Sequence, residues 1–216
     1  MTFINFHTHQ PAWDEAVFTP SSFGIHPWDA AEAAVESYEQ FCSRHKAAFE
    51  QATCVGECGL DRACNVDFEV QRTVFEYQLK LNETMLGCKT VVVHCVRAYD
   101  TLLQLRKRYP KAMWVVHGFR GGIEQALQLH HAHIGISFGA AILDERNDKL
   151  RQCLRDYPYP FMLETDTAST PIADIYAEAA SIKGITIEEL CQQTHHYCQS
   201  LIKNSGIGEF VNSGMC

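Results

Sequence analysis

The chain has 216 residues, of which 46% are hydrophobic and 20% are charged, and its formal net charge is -8. No apolar run is long enough to cross a bilayer, so we expect a globular protein with no membrane partner. The negative charge argues against a broad basic surface that would bind nucleic acid regardless of its sequence. The length suits a single domain over residues 1–216.

Strand-like and helix-like segments alternate along the chain, which is typical of βα units around a parallel sheet. Strands are predicted near residues 2–6, 22–26, 53–57, 90–94, 113–117, 133–137 and 161–164. Helices are predicted over residues 30–50, 68–85, 98–109, 123–130, 145–156, 172–183 and 187–203. The alternation predicts an α/β fold, a TIM-like (β/α) barrel.

The barrel is expected to be incomplete near its first βα unit. A closed barrel of eight βα units typically needs about 250 residues, so this chain must shorten its loops or lose an element. Residues 10–23, which include Pro11 and Pro20, are too few for a helix followed by a strand. We therefore expect an irregular loop there and a reduced barrel with about seven clear strands.

Several short apolar runs stop at a residue that can bind a metal ion. The runs are FINFHTH, TCVGECGLD, TVVVHC, MWVVHGF and FMLETD. A buried parallel strand whose C-terminal end carries chemistry has this appearance, and core packing alone explains so many such runs poorly. The candidate ligands are His7, His9, Glu57, His94, His117 and Asp166.

The first candidates are a histidine pair and a glutamate. Alternate residues of a strand point to the same face, so His7 and His9 could bind one ion. Alone, such a pair is more often a pair of surface or core histidines. Glu57 lies between two glycines and has no basic residue close by in the sequence, so burying its charge would be costly without a metal ion.

The remaining candidates follow later strands. For His94 or His117 taken alone, a hydrogen-bonded core histidine explains the residue as well as a metal ligand does. Asp166 completes the set with a carboxylate. We expect the nearby Glu164 to face the other way or to cap the next turn.

Four histidines and two carboxylates are more than one catalytic ion with an open position needs. Two divalent ions that share a carboxylate are the economical arrangement. Such a pair, about 3.5 to 4 Å apart, lowers the pKa of a bound water and stabilises the attacking and leaving oxygens of a phosphoester. The mixed ligand set suits zinc, manganese or, less well, magnesium.

The order HxH, GIHP, GExGLD, VVH, HGF and ETD resembles the TatD family of metal-dependent hydrolases, within the amidohydrolase-like barrel superfamily, and GECGLD and LETD are its most specific parts. The resemblance implies one ion on His7, His9 and Asp166 and a second on His94 and His117, with Glu57 bridging. It also implies that Asp166 takes the proton from the attacking water. The implied activity is phosphodiester hydrolysis by a deoxyribonuclease or phosphoesterase.

The sequence departs from the family pattern in places that affect substrate contacts. Asn5 stands where the family usually has an aspartate, the HxH pair lacks the usual Leu-Asp after it, and LETDTAS replaces LETDAPYL. The first βα region of the family is also cut short here, so we expect a smaller or more open pocket. His26, in GIHPW, matches a family signature near the site and is predicted to bind substrate rather than metal.

Phosphate binding would need positive groups close to the ligands. Arg62, Arg97 and Arg120 each follow a proposed ligand by three to five residues, although each taken alone is more simply a solvated arginine. Arg120 is the first candidate for phosphate binding, because the glycines of HGFRGG allow its loop to approach a ligand. Arg97 is a second candidate. The cluster of His130, His131 and His133 is predicted to be a surface cluster.

The cysteines and the N-terminus concern the cellular compartment. The ten cysteines are scattered without a CxxC pair, which favours free thiols. Cys58 and Cys95 each follow a candidate ligand directly, where a thiolate could compete for zinc. The N-terminal segment MTFINFHTHQP has no signal-peptide features, so we expect a cytoplasmic protein. We also expect no obligate protein partner.

Three classes of function remain open from the sequence. The leading one is a two-metal phosphoesterase that acts on DNA or on a smaller nucleotide-like ester. The second is a hydrolase of a small-molecule amide or lactone, because a metal centre alone does not choose between carbonyl and phosphoryl targets. The third is a metal-binding relative without activity, which the full set of six candidate ligands argues against.

Overall fold

The computed structural model describes residues 2–10 and 16–202. The chain forms two compact units. The central unit is Ser21–Val116, and the terminal unit consists of Met1–Pro20 and His117–Cys216. The single domain expected from the sequence therefore stays a prediction.

Eight strands and eight α-helices lie in the described residues. The strands are β1 (Phe3–Ile4), β2 (Val17–Phe18), β3 (Ser22–Phe23), β4 (Cys54–Asp61), β5 (Val91–Val96), β6 (Trp114–Val116), β7 (Ile134–Phe138) and β8 (Met162–Leu163). The helices are α1 (Ala30–Ala33), α2 (Tyr38–Gln51), α3 (Phe68–Met85), α4 (Tyr99–Arg108), α5 (Ile123–His131), α6 (Asp148–Asp156), α7 (Ile172–Lys183) and α8 (Ile187–Ile202).

In the central unit, β3, β4, β5 and β6 lie side by side in that order and all run parallel. Helices separate them along the chain, which gives the βα alternation predicted from the sequence. Asp67 fixes the start of α3, because its carboxylate accepts hydrogen bonds from the backbone N–H groups of Glu69 and Val70. When parallel strands are joined in this way, functional residues typically lie at the C-terminal ends of the strands.

The helix predicted over residues 30–50 is two helices, which corrects the prediction. Ser37 and Gln40 form a capping box, in which each side chain bonds the other residue's backbone N–H. This box satisfies the first N–H groups of a new helix and so separates α2 from α1. At the other end of α2, the buried Lys89 ammonium donates to the carbonyl oxygens of Phe49, Glu50 and Ala52 at 2.8, 2.8 and 2.5 Å.

In the terminal unit, β1 pairs with β2 and β7 pairs with β8, in both cases in parallel. The segments that follow β1 and β8 continue side by side. Phe6 N–H donates to the carbonyl of Leu163 at 2.9 Å, and Asp166 N–H donates to the carbonyl of His7 at 3.0 Å. This pairing brings the HxH segment alongside the ETD segment.

All seven predicted strands are present, and β2 is an additional short strand. Of the segment that was expected to be irregular, the described residues 16–23 contain no helix and include the short strand β2, whereas residues 11–15 lie outside the described residues. β4 and β5 continue beyond Glu57 and His94, so these two residues do not mark strand ends as predicted. Within the described residues, no helix combines the length and hydropathy that a membrane crossing requires.

Candidate metal centre

His7, His9 and Asp166 form a three-residue group in the terminal unit. Each offers one ligand atom, and these atoms lie within 4.8 Å of one another. The rings of His7 and His9 are 4.9 Å apart between centroids, and His9 Nε2 is 3.5 Å from Asp166 Oδ1. Two imidazoles and one carboxylate are a ligand set found at catalytic zinc sites.

The backbone places Asp166 opposite the histidine pair. Its N–H donates to the carbonyl of His7, and its carbonyl accepts from the N–H of His9, each at 3.0 Å. Asp166 has φ of 52°, a left-handed conformation that aspartate adopts more readily than most residues. These paired hydrogen bonds hold that backbone conformation in place and so fix the direction in which the Asp166 side chain leaves the backbone.

Asn5, which stands where the resemblance leads us to expect an aspartate, supports the same segment. Its side-chain amide donates from Nδ2 to Thr165 Oγ1 at 2.9 Å, and its Oδ1 accepts from the N–H of Thr165 at 2.9 Å. The Thr165 hydroxyl then donates to Thr8 Oγ1 at 2.8 Å. An aspartate at this position could still accept from the N–H of Thr165, but it could only accept from, not donate to, the Thr165 hydroxyl.

Glu164 does not face away from the candidate ligands, which corrects the prediction. Its side chain is fully buried, and Oε1 accepts from the N–H of Gly118 at 2.6 Å and lies 3.2 Å from His117 Nδ1. Burial alone would raise the pKa of the Glu164 carboxyl, but the imidazole of His117, its hydrogen bond and the charge of His7 hold that pKa below its usual value. An ionised Glu164 requires the proton of His117 on Nδ1, which leaves Nε2 as the ring nitrogen that can bind a metal ion.

His117 directly follows β6, as predicted, and is buried. Its ring lies 4.7 Å from the ring of His7 between centroids. The terminal unit therefore brings together His7, His9, His117 and Asp166, with Glu164 as a partner that the sequence pattern did not identify.

A second group lies in the central unit and consists of His26, Glu57 and His94, whose ligand atoms are again within 4.8 Å of one another. Glu57 Oε1 is 2.6 Å from His94 Nδ1 and 3.3 Å from His26 Nε2. Glu57 thus has two imidazole partners that are distant in sequence. These partners offset the cost of burying its charge, which no basic residue close by in the sequence could do.

A bulge in β4 directs Glu57 toward these histidines. The pairing with β5 shifts between Val55 and Cys58, so β4 carries one extra residue there. Gly56 has φ of 136°, and a Cβ atom at this position would collide with the carbonyl oxygen of Val92. Glycine is required because the two backbones approach each other too closely for a side chain.

His26 is held by hydrogen bonds that argue against its being a metal ligand. Its Nδ1 accepts from the N–H of Trp28 at 3.2 Å, so the neutral ring carries its proton on Nε2, facing Glu57. Binding a metal ion through Nε2 would move the proton to Nδ1 and break the bond to Trp28. Its predicted contact with substrate stays a prediction.

Asp61 and Trp28 are further residues that the sequence analysis did not single out. Asp61 Oδ2 lies 3.5 Å from His94 Nε2 and accepts from the indole N–H of Trp28 at 2.7 Å. Burial raises the pKa of the Asp61 carboxyl. The hydrogen bonds from Trp28 and from the N–H of Ala63, together with His94, lower this pKa by more than burial raises it, so the pKa lies below its usual value. The GLD triplet that ends β4 was the available signal for Asp61.

The three arginines differ in their surroundings. Arg62 lies over the Phe68 ring at 3.9 Å and bonds Thr101 Oγ1 at 3.2 Å, so its guanidinium already has local partners. Arg97, after β5, and Arg120, before α5, are exposed. Their predicted role in phosphate binding stays a prediction.

The thiols beside the candidate ligands are poor competitors for zinc. Burial raises the pKa of Cys58 far above its usual value and raises that of Cys95 to about 12, so both remain protonated near neutral pH. All cysteines in the described part of the chain are free, as predicted. His130 stacks on Tyr159 with ring centroids 3.4 Å apart, and the cluster around it forms no candidate metal group among the described residues.

The donor chemistry of the two groups fits divalent ions. Both combine imidazole nitrogens with carboxylate oxygens, and buried carboxylates at this density are costly unless a cation or protonated partner offsets them. His7, His9 and Asp166 would hold one ion. Glu57 and His94 would contribute to a second, and the assignments of His117 to that ion and of Glu57 to both ions stay predictions from the family resemblance.

The parallel βα architecture and the imidazole–carboxylate groups define an α/β protein of the metal-dependent hydrolase type. The family model described as TatD related DNase matches residues 11–203. The chain therefore belongs to the TatD related DNase family, as the motifs predicted.

Relatives in this family carry hydrolase and nuclease names. The chain is 27% identical over 198 residues to the Escherichia coli protein named "Uncharacterized metal-dependent hydrolase YjjV", covering 86% of this chain and 74% of that protein. It is 30% identical over 151 residues to the Pantoea protein named "3'-5' ssDNA/RNA exonuclease TatD", covering 68% of this chain. The matched part is 56% of the Pantoea protein, little more than half of its length.

Solved structures have the same fold. The E. coli YjjV structure, a TatD homolog, matches with a TM-score of 0.70 at 24% identity, covering 88% of this chain and 78% of that chain. A TatD family hydrolase from Entamoeba histolytica matches with a TM-score of 0.71 at 19% identity, covering 86% of this chain and 74% of that chain. These likenesses confirm the predicted fold class, an α/β fold of the TIM-like barrel type.

Proposed function

We propose that this chain is a two-metal phosphodiesterase that hydrolyses DNA or a smaller nucleotide-like ester. The observation that carries the proposal is the group of His7, His9 and Asp166, whose ligand atoms lie within 4.8 Å of one another on paired backbone segments. Family membership and the nuclease name of the Pantoea relative support a phosphodiester as the substrate. Zinc, manganese and magnesium are the candidate ions.

The ligand residues have distinct roles in this proposal. When bound, divalent ions would lower the pKa of an attacking water and offset the negative charge of the phosphate. Asp166 is the proton acceptor, because its carboxylate is partly exposed while its backbone is fixed on both sides by the histidine segment. Glu164 keeps His117 in the tautomer whose Nε2 carries no proton.

Exposed arginines would orient the phosphate. Arg97 follows His94 by three residues and Arg120 follows His117 by three residues, and both side chains are exposed. A guanidinium group can donate two parallel hydrogen bonds to a phosphate, which orients the substrate as well as attracting it. His26, whose Nε2 faces Glu57, is proposed as a further contact at the edge of the substrate site.

The test begins with the metal content of protein purified with and without added zinc or manganese. Hydrolysis is then measured with bis(p-nitrophenyl) phosphate, a single-stranded oligonucleotide and a panel of lactones. Asp166→Ala is expected to abolish phosphodiester hydrolysis, and Asp174→Ala, which removes an exposed carboxylate on α7, serves as the matched control. Lactone hydrolysis that depends on Asp166, without phosphodiester hydrolysis, would contradict the proposal. Stoichiometric metal without any activity would indicate a non-catalytic relative.

A further inference from the structure

We propose that Trp28 is a stacking residue for an unpaired nucleobase of the substrate. The inference rests on the proposed function and extends it, because it names a residue that distinguishes single-stranded nucleic acid from a small phosphodiester. Trp28 lies in the short 3-10 helix Pro27–Asp29, directly after His26 and Pro27.

The exposure of Trp28 is the first observation. Its side chain is 60% exposed, and it is the aromatic member of the exposed large hydrophobic residues in the described part of the chain. A tryptophan buries more apolar area than most side chains, so leaving its ring in water forgoes a considerable stabilisation. An exposed indole at a candidate active site is well suited to receive a ligand with a flat face.

The second observation is that the exposed ring is held in place. The indole N–H donates at 2.7 Å to Asp61 Oδ2, and Asp61 is 4% exposed. The ring also meets His26 edge to face, with centroids 4.8 Å apart and planes at 90°. A ring fixed before binding loses little conformational entropy when a base stacks on it.

The third observation is the position of the ring relative to the candidate ligands. The centroid of Trp28 is 6.3 Å from that of His94, and Asp61 contacts both side chains. A base stacked on Trp28 would belong to a nucleotide beside the group of His26, Glu57 and His94. Stacking of a base on an aromatic side chain contributes about 1–3 kcal/mol, and it requires a base that is not paired within a duplex.

A purely structural role is the competing explanation, in which Trp28 serves only to hold Asp61. Two substitutions separate the explanations. Trp28→Phe keeps an aromatic face and removes the N–H that bonds Asp61, whereas Trp28→Ala removes both. The stacking role therefore predicts a difference between the two variants, and the structural role predicts none.

The experiment measures binding by fluorescence anisotropy, which needs no turnover, with and without added zinc. The probes are a 5′-fluorescein single-stranded oligonucleotide and the same strand with an abasic position in place of each base in turn. Trp28→Ala is expected to bind the intact strand about tenfold more weakly than Trp28→Phe, which corresponds to about 1.4 kcal/mol. On the strand whose abasic position removes the stacked base, the two variants are expected to bind equally. Met85→Ala, which removes an exposed apolar side chain from α3, is the matched control.

Turnover provides the second readout. For the oligonucleotide, Trp28→Ala is expected to raise KM relative to Trp28→Phe by a similar factor, and with bis(p-nitrophenyl) phosphate the two variants should not differ from each other. Equal binding of the intact strand by the two variants would overturn the stacking role, as would a difference that persists at every abasic position. If the unmodified protein hydrolyses no phosphodiester, the proposed function fails, and the anisotropy comparison still decides the role of Trp28.

Discussion

Replacing Glu164 by glutamine removes one charge from a fully buried side chain while keeping its size. Oε1 of Glu164 accepts from the N–H of Gly118 at 2.6 Å and lies 3.2 Å from His117 Nδ1. A hydrogen bond to a charged group contributes about 1.5–3 kcal/mol, against about 0.5–1.5 kcal/mol for a neutral one. The bond to His117 should therefore weaken by about 1–1.5 kcal/mol.

The weaker hydrogen bond to Glu164 should affect metal binding through His117. A carboxylate partner makes an imidazole a stronger ligand and keeps its proton on Nδ1, so Glu164→Gln is expected to lower the affinity for zinc or manganese about tenfold. Without metal, the weaker hydrogen bonds are offset by the lower cost of burying an uncharged group. The free energy of unfolding should then change by less than about 1 kcal/mol.

Isothermal titration calorimetry of the metal-free protein with zinc measures the affinity, and urea unfolding followed by circular dichroism measures the stability. Glu188→Gln, at an exposed position on α8, is the matched control and should change neither quantity. Unchanged zinc affinity combined with a large loss of stability would refute the reasoning, because Glu164 would then serve only the fold.

Three further substitutions test the supports of the site. Asn5→Ala removes both hydrogen bonds to Thr165 and should reduce metal affinity several-fold by calorimetry, whereas Asn5→Asp, which keeps the acceptor for the N–H of Thr165, should retain more of it. Lys89→Met leaves three carbonyl oxygens without their ammonium donor and should lower the free energy of unfolding by about 2–4 kcal/mol in urea. Gly56→Ala should destabilise the fold by about 3 kcal/mol or more in the same assay, and Gly87→Ala, which has positive φ but open space around a Cβ atom, reports the backbone strain alone. Equal losses for the two glycine variants would refute the close approach of β4 and β5.

Much of the fold could be predicted from local sequence patterns. The apolar periodicity predicted the bounds of α3 and α7 correctly, because a helix with one buried face repeats its pattern within a few residues. The motif order also identified the family and selected the candidate ligands. The break between α1 and α2 was missed, although the capping box at Ser37 was readable in the sequence.

The orientation of Glu164 shows where such patterns stop being informative. The alternation of side chains holds only within a strand, and β8 ends at Leu163, one residue before Glu164. Beyond that point the direction of the carboxylate depends on its hydrogen bonds to Gly118 and His117. These partners are more than forty residues away in sequence, so no local pattern contains them.

The sequence by itself determined the alternation of strands and helices, the family and the identity of the candidate ligands, because these depend on residue type and short-range spacing. Only the tertiary structure decided which side chains meet: Glu57 with His94 across a strand bulge, and Trp28 with Asp61. Such contacts depend on strand register and on single hydrogen bonds between distant segments. Their free energies become defined only when the packed backbone fixes both partners.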